Sequence, residues 1–329
     1  MESSSVKIVI VTPAAALSRH GNRHTAARWA MLLRGLNHRV GIRQSWDGTP
    51  ADVMIALHAR RSHDSAKRFK AAFPNRPLVL ALTGTDLYRD IHADASARES
   101  MHIADRIVVL QEAACGELAP ALRRKTRVVY QSARAVRSGQ PLKSRFEVVV
   151  SGHLRPEKDP FRTAAALPYL PASSAIRVVH FGAAMSPDMD REARQWMERE
   201  PRYRWLDELA HTEARRRLAR SRLMVISSRM EGGANVVSEA LAAGVPIIAS
   251  RIPGNVGMLG RDYAGYFPVE NEKALARLLW RAESDDGFYR RLKAQCKARS
   301  FLVDPKREAR TLQRLLAEFD GTNATARRR

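Results

Sequence analysis

The chain has no uninterrupted apolar run approaching the ~20 residues of a membrane-spanning helix. Its N-terminus offers only Val6 to Val11 before a polar loop, so neither a transmembrane segment nor a signal peptide is expected and the protein is placed in the cytoplasm. Cysteine is scarce: Cys115 and Cys296 form no disulfide framework and no metal-ligand spacing, and both are expected to stay reduced. No protein-bound metal and no cofactor is expected. Aromatic residues make up only 6% of a chain that is 45% apolar, the profile of an Ala/Val/Leu-rich α/β protein. Negative charge is also short, with 34 acidic residues against 56 Lys and Arg and a net charge of +22. A nucleic-acid-binding protein would gather such charge on one element or carry a known module. Here arginines are scattered along the chain and the longest pure run is Arg327 to Arg329, so nucleic acid is not an expected partner. The charge is a general surface property, part of which can attract anionic ligands. A chain of 329 residues suits two domains of about 150 residues each.

What is present centres on Glu231-Gly-Gly-Ala-Asn-Val-Val-Ser-Glu239, followed by Ala-Leu-Ala-Ala-Gly-Val-Pro-Ile-Ile-Ala. Leu223 to Ser228 and Val245 to Ser250 read as buried parallel strands on either side. The segment between them predicts a helix with Asn235 as N-cap and Gly244 as the glycine that ends it. Gly232 and Gly233 permit close backbone approach by a ligand, and the N–H groups of the following helix N-terminus suit an anion such as a diphosphate. Glu231 before the turn and Glu239 in the helix then stand on opposite sides of a phosphate cradle. That arrangement describes a nucleotide-sugar, with a hexose at one end and a ribose at the other.

Two glutamates separated by seven residues and followed by Ala-Leu-Ala-Ala-Gly-Val-Pro closely resemble the donor motif of retaining GT-B glycosyltransferases of family 4. The resemblance implies an α/β fold of two Rossmann-like domains facing a central cleft, with a C-terminal helix crossing back to the N-terminal domain. The N-terminal acceptor domain is expected over 1–140 plus a terminal helix at about 305–320, and the donor domain over 145–300. It further implies that Gly232, Gly233, Ala234, Asn235, Val236 and Glu239 bind the donor, with Glu231 catalytic.

Other segments extend the likeness. Phe146 to Ser151 is a strand running into Gly152, Arg155 and Lys158, similar to the family's element whose arginine and lysine hold the donor diphosphate. Two cations at a β-phosphate stabilise the charge that develops as the sugar–phosphate bond breaks. At the N-terminus, Lys7 to Val11 is a strand and Thr25 to Leu36 a helix. The cationic loop between them contains Arg19, His20, Gly21, Asn22, Arg23 and His24; Gly21 matches the family's donor-binding glycine, while Asn22 replaces a second one. Strands are also expected at Asp52 to His58 and Pro77 to Leu82, the latter entering Thr83-Gly-Thr-Asp86. Thr83 stands where many family members carry histidine. Ala133 to Arg145 reads as a linker, and Pro253-Gly-Asn-Val-Gly as a turn.

A narrower likeness, carried by Thr25-Ala-Ala-Arg-Trp-Ala, Ala56 to Ser62, Leu82 to Arg89 and Val129 to Ser132, is to the selenosugar synthases of selenoneine biosynthesis. It implies selenophosphate as acceptor and a UDP-sugar, UDP-N-acetylglucosamine, as donor. A selenium anion needs no base to deprotonate it but does need cations beside it. Arg19, His20, Asn22, Arg23, His24, Thr83 and Asp86 are the expected acceptor residues, with Arg60 or Arg61 as further cations. The competing readings are an ordinary family 4 transferase acting on a lipid, glycan or small-molecule hydroxyl, and a basic nucleic-acid-binding protein. The helix around 62–72 has too poor an apolar face for stable membrane association, and a homodimer is left open.

Overall fold

The computed structural model describes residues 5–13, 21–136 and 145–319. The chain divides into two compact units: the first runs to Gln131 and resumes at Pro305, and the second is Ser132–Asp304.

The first unit is built on six parallel strands, β1 (Lys7–Val11), β2 (Arg39–Arg43), β3 (Val53–Leu57), β4 (Leu78–Ala81), β5 (Arg106–Val109) and β6 (Thr126–Val128), in the order β2-β1-β3-β4-β5-β6. Alternate strand residues supply two separate cores. Val9, Val11, Met54, Ala56, Leu78 and Leu80 pack with Phe69 and Met101 on one face. Ile8, Ile10, Val53, Ile55, Leu57 and Val79 pack with Trp29, Leu33, Leu312 and Leu316 on the other. Both faces are thus covered, as an all-parallel sheet requires. The helix Pro305–Ala317 belongs to this unit and packs on the helix Gly21–Gly35. Its buried Glu308 accepts a 2.8 Å hydrogen bond from Trp29 Nε1 and one of 3.2 Å from Arg28 Nε.

The second unit repeats the scheme with β7 (Phe146–Ser151), β8 (Ile176–Phe181), β9 (Tyr203–Trp205), β10 (Leu223–Ile226), β11 (Ile247–Ser250) and β12 (Tyr266–Phe267), in the order β12-β11-β10-β7-β8-β9. Every pairing is parallel. This is the doubly wound dinucleotide-binding order, which reverses direction between β7 and β10. In the first unit the order reverses between β1 and β3. Ligands of open parallel sheets bind beyond the carboxyl ends of strands at such a reversal. Among the described residues no helix is long and apolar enough to cross a membrane.

Three local expectations need correction, and one strand was missed. Gly21, Asn22, Arg23 and His24 lie within the helix Gly21–Gly35 instead of a loop. Arg19 and His20 lie outside the described residues. The N-cap of the helix Asn235–Ala243 is Ala234, whose extended backbone leaves the helical region; Asn235 is already the first helical residue and Gly244 ends the helix at φ 70°. Pro253-Gly-Asn-Val-Gly is not a turn but the start of the helix Pro253–Leu259, with proline in the first turn where its missing N–H costs nothing. Finally, β2 was not anticipated: its Arg-Val-Gly-Ile-Arg pattern is that of a short edge strand.

Candidate active site

Topology brings the second unit's chemistry together. β7 leads into an isolated bridge at Leu154, then Arg155 in extended conformation, a single tight turn Pro156–Lys158, and Asp159 in left-handed conformation at φ 45°. β10 leads into Ser227, Ser228 and Glu231. Because β7 and β10 are neighbours at the reversal, residues far apart in sequence meet: Lys158 Nζ donates a 2.5 Å hydrogen bond to Glu231 Oε1. Ser227 Oγ donates to Asp159 O at 2.8 Å, and Arg229 N to Glu157 O at 2.9 Å, lacing the two loops together. Arg155 also belongs here; among the described residues its Nε is buried with no hydrogen-bond partner. A buried guanidinium nitrogen is costly to leave unpaired, so Arg155 Nε is a group that an anionic ligand can satisfy.

Glu231 is only 8% exposed and is held by a relay that spans three elements. Ser228 Oγ donates to Glu231 Oε1 at 2.6 Å. Ser250 Oγ, at the end of β11, donates to Ser228 O at 2.6 Å. Asn255 Nδ2, in the helix Pro253–Leu259, donates to Ser250 O and Oγ at 2.9 and 3.1 Å. Gly254 sits so close that a Cβ there would collide with the Glu231 backbone. None of these four supporting residues was singled out from the sequence. Two signals existed: a serine three residues before Glu231, and a Pro-Gly pair separated from a strand by only two residues.

Gly152, expected to touch the donor, opens onto free space: a Cβ there would meet nothing within 4 Å. The steric demand falls instead on Gly182 at the end of β8. Its φ is +147°, and a Cβ would strike Gly152 O and C. Beneath them His180 is fully buried, its Nε2 3.2 Å from Gly152 O and its Nδ1 2.9 Å from Tyr203 Oη. Burial pushes the imidazole down to about 4, opposed only by the bond to Gly152. With a folded value below the unfolded one, the unfolded chain binds the proton first, so stability is full above about pH 6.5 and falls as pH drops toward 4. The slope over that interval is at most ~1.4 kcal/mol per pH unit for one proton. Urea melts at stepped pH should show this slope in the wild type and a shallower one in His180→Asn; identical slopes would remove His180 from the acid response.

Gly232 and Ala234 are buried, whereas Gly233, Asn235 and Val236 are partly exposed at the N-terminus of the helix Asn235–Ala243. The N–H groups of that first turn carry the partial positive charge of the helix end. Glu239, one turn further on, accepts from His211 Nε2 at 3.0 Å and lies 3.9 Å from Arg215 Nε.

In the first unit, the ends of β3 and β4 form a compact polar knot. Asp86 is completely buried, and its carboxylate accepts from Thr83 N (2.9 Å), Gly84 N (2.8 Å) and Ala59 N (3.0 Å). It therefore shapes the loop and does not face an acceptor, a correction to the sequence-based expectation; Thr83 remains partly exposed. His58 is buried with φ 78°. Arg61 N donates to its Nδ1 at 3.3 Å, so the proton sits on Nε2, 3.2 Å from Thr85 Oγ1. Burial, ahead of the opposing field of Asp86, holds its pKa below the usual imidazole range, so the ring is neutral near pH 7.

The sequence profile of the family described as glycosyl transferases group 1 matches residues 134–299, just over half of the chain. No curated protein gives a significant sequence match. Solved structures similar to the chain include HepE of Anabaena in complex with UDP and glucose, at 16% identity and TM-score 0.75, covering 95% of this chain and 100% of that one. Sucrose-phosphate synthase of Thermosynechococcus elongatus is similar at 15% identity and TM-score 0.76, covering 95% and 98%. A glycosyltransferase of Rickettsia africae is similar at 12% identity and TM-score 0.72, covering 96% and 99%. These likenesses confirm the two-unit GT-B architecture. The family match spans both β7 with its Arg155–Lys158 loop and the whole of the Glu231–Glu239 motif, and the chain accordingly belongs to the group 1 glycosyl transferases.

Proposed function

We propose that the protein is a retaining family 4 enzyme that transfers N-acetylglucosamine from UDP-N-acetylglucosamine to selenophosphate. The observation that carries the donor half is the contact of Lys158 Nζ with Glu231 Oε1 at the β7/β10 reversal. When a UDP-sugar enters, Lys158 and Arg155 turn to the β-phosphate, the helix N-terminus at Asn235 takes the diphosphate, and Glu231 is released to accept hydroxyl hydrogen bonds from the sugar. Glu239 takes the ribose hydroxyls. UDP is also what HepE was crystallised with, which is in keeping with this choice of nucleotide.

The acceptor half rests on the narrower sequence likeness, and the knot at the ends of β3 and β4 supports it. The two carboxylates there are engaged: Asp86 by three backbone N–H groups and Asp90 by two arginines. His58 is buried. Such a surface suits a nucleophile that arrives already as an anion. The selenium lone pair attacks the anomeric carbon, the carbon–oxygen bond to the diphosphate breaks, and its electron pair leaves with UDP. Water then cleaves the selenium–phosphorus bond, giving phosphate and the selenosugar.

Mass spectrometry of the protein incubated anaerobically with UDP-N-acetylglucosamine and selenophosphate tests the reading. A selenium isotope pattern on the sugar, lost in Glu231→Ala, is the expected result. UDP release only when a hydroxyl acceptor is supplied would return the chain to ordinary family 4 chemistry. Glu239→Ala is expected to raise the donor KM about tenfold, equivalent to ~1.4 kcal/mol, with kcat little changed, since it contacts a part of the donor that does not react. An unchanged KM in steady-state assays would remove Glu239 from the ribose site.

A further inference from the structure

We infer that Arg60, Asp90 and Arg89 form a preassembled cradle for the tetrahedral oxyanion of the acceptor, the phosphate group of selenophosphate, an assignment that rests on the proposed function. Asp90 is 4% exposed. Its Oδ2 accepts from Arg60 Nε at 3.0 Å and its Oδ1 from Arg89 Nε at 3.0 Å, so one buried carboxylate fixes two guanidinium groups at their inner nitrogen. A paired arginine usually meets a carboxylate with two parallel N–H bonds. Here each is held by one, and the outer ends of the two forks remain for something else. The side chains are 40% and 51% exposed, so those ends reach solvent.

The position is as informative as the pairing. Arg60 follows the end of β3 and Arg89 lies in the single wide helical turn Asp86–Asp90 that follows β4. These are adjacent strands of the parallel sheet, and β3 borders its reversal point. The backbone beneath is rigid. Asp86 ties both loops together, His58 Nε2 lies 3.8 Å from Asp90 Oδ2, and Tyr88 Oη accepts from Gln111 Nε2 at 2.9 Å. Wide turns of this kind are commonly found at functional sites. The other nearby carboxylate, Asp94, caps the helix Ala95–Ile103 through Oδ1, and its charge also acts on Arg60. Arg61, also exposed on the same turn, adds positive charge. Two planar guanidinium forks prefixed by a common carboxylate match the several oxygens of a phosphate-type anion, and their ordering cost is met before the ligand arrives.

The test uses the full-length enzyme. Arg60→Ala and Arg89→Ala should each raise the selenophosphate KM at least tenfold and weaken competitive inhibition by inorganic phosphate by a similar factor. UDP affinity by calorimetry and the circular dichroism spectrum should stay as in the wild type. Asp90→Asn should raise the same KM through misplaced arginines, whereas a merely structural ion pair would lower only the melting temperature. Selenophosphate KM values within twofold of wild type in both arginine variants would overturn the assignment. Tighter competition by glucose 6-phosphate than by inorganic phosphate would also overturn it, in favour of a phosphorylated alcohol. If the wild type makes no selenosugar, the functional reading fails, but the cradle is still decided by phosphorus-31 line broadening of inorganic phosphate. Broadening lost in Arg60→Ala and Arg89→Ala supports an oxyanion site, and equal broadening in all three proteins excludes it.

Discussion

Lys158→Ala is expected to lower kcat by about a hundred- to a thousandfold, the usual cost of removing one preorganised group that stabilises charge developing on a leaving oxygen. The donor KM should move much less, because in the proposed role the interaction strengthens only as the sugar–phosphate bond stretches. Lys158 sits in the tight turn after β7, anchored through its backbone to Arg155 O and, through Ser227, to the loop after β10. Its ammonium is therefore delivered by rigid backbone, and a shorter side chain cannot be compensated by loop motion. Glu231→Ala should lose a comparable factor. The two losses should not add in the double variant, since the two side chains are directly hydrogen-bonded to each other. Steady-state rates of UDP release, alongside circular dichroism to confirm folding, decide the matter. Near-normal turnover in Lys158→Ala would show that the diphosphate is held elsewhere.

Glu308→Ala is expected to destabilise the first unit by about 3 kcal/mol, at the low end of the cost of breaking a buried charged pair. The carboxylate is 1% exposed and receives both the Trp29 indole N–H and the Arg28 guanidinium. Its removal leaves the fully buried Trp29 nitrogen with no acceptor from Glu308, and Arg28 with its charge less well compensated. For a unit of this size the melting temperature should fall by roughly 6–12 °C. Glu308→Gln keeps an acceptor for Trp29 and should lose less. Denaturant unfolding followed by tryptophan fluorescence reads the difference directly. A loss below about 1 kcal/mol in the alanine variant would mean that the apolar contacts of Leu312, Leu315 and Leu316 hold the helix by themselves.

How far these features were visible in the sequence differs by element. Central strands such as β3 and β10, and the Val148–Val150 core of β7, are unbroken β-branched and apolar runs, and they stand out because both faces of a parallel sheet are buried. The edge strand β2 and the short β9 carry no such run, since one side of each meets solvent or a loop. The start of the helix Asn235–Ala243 was misplaced because no side-chain cap marks it, Ala234 capping through its backbone alone; in the helix Gly21–Gly35, Gly21 lies five residues before the first buried apolar position, Ala26. In the site, the Glu231–Glu239 spacing pointed to residues that the fold does place around one helix N-terminus, and the pairing of Lys158 with Glu231 follows from strand order. Asp86 was misjudged because an aspartate beside Gly-Thr reads equally as a ligand contact or as a loop clasp. Only the positions of Thr83 N, Gly84 N and Ala59 N separate the two. Ser250 and Asn255 act on Glu231 through Ser228, a link between three elements that no spacing rule encodes.

The helix Pro305–Ala317 returns to the first unit after the chain has traversed the whole of the second. On the ribosome this reverses the usual order in which N-terminal regions finish folding first. The second unit is one continuous segment and has all its strands as soon as Asp304 has emerged, whereas the first must wait with the apolar surface of Trp29 and Leu33 uncovered until its final helix is made. Separate expression of the continuous unit, residues 132–304, is thus the more promising route to an isolated fragment.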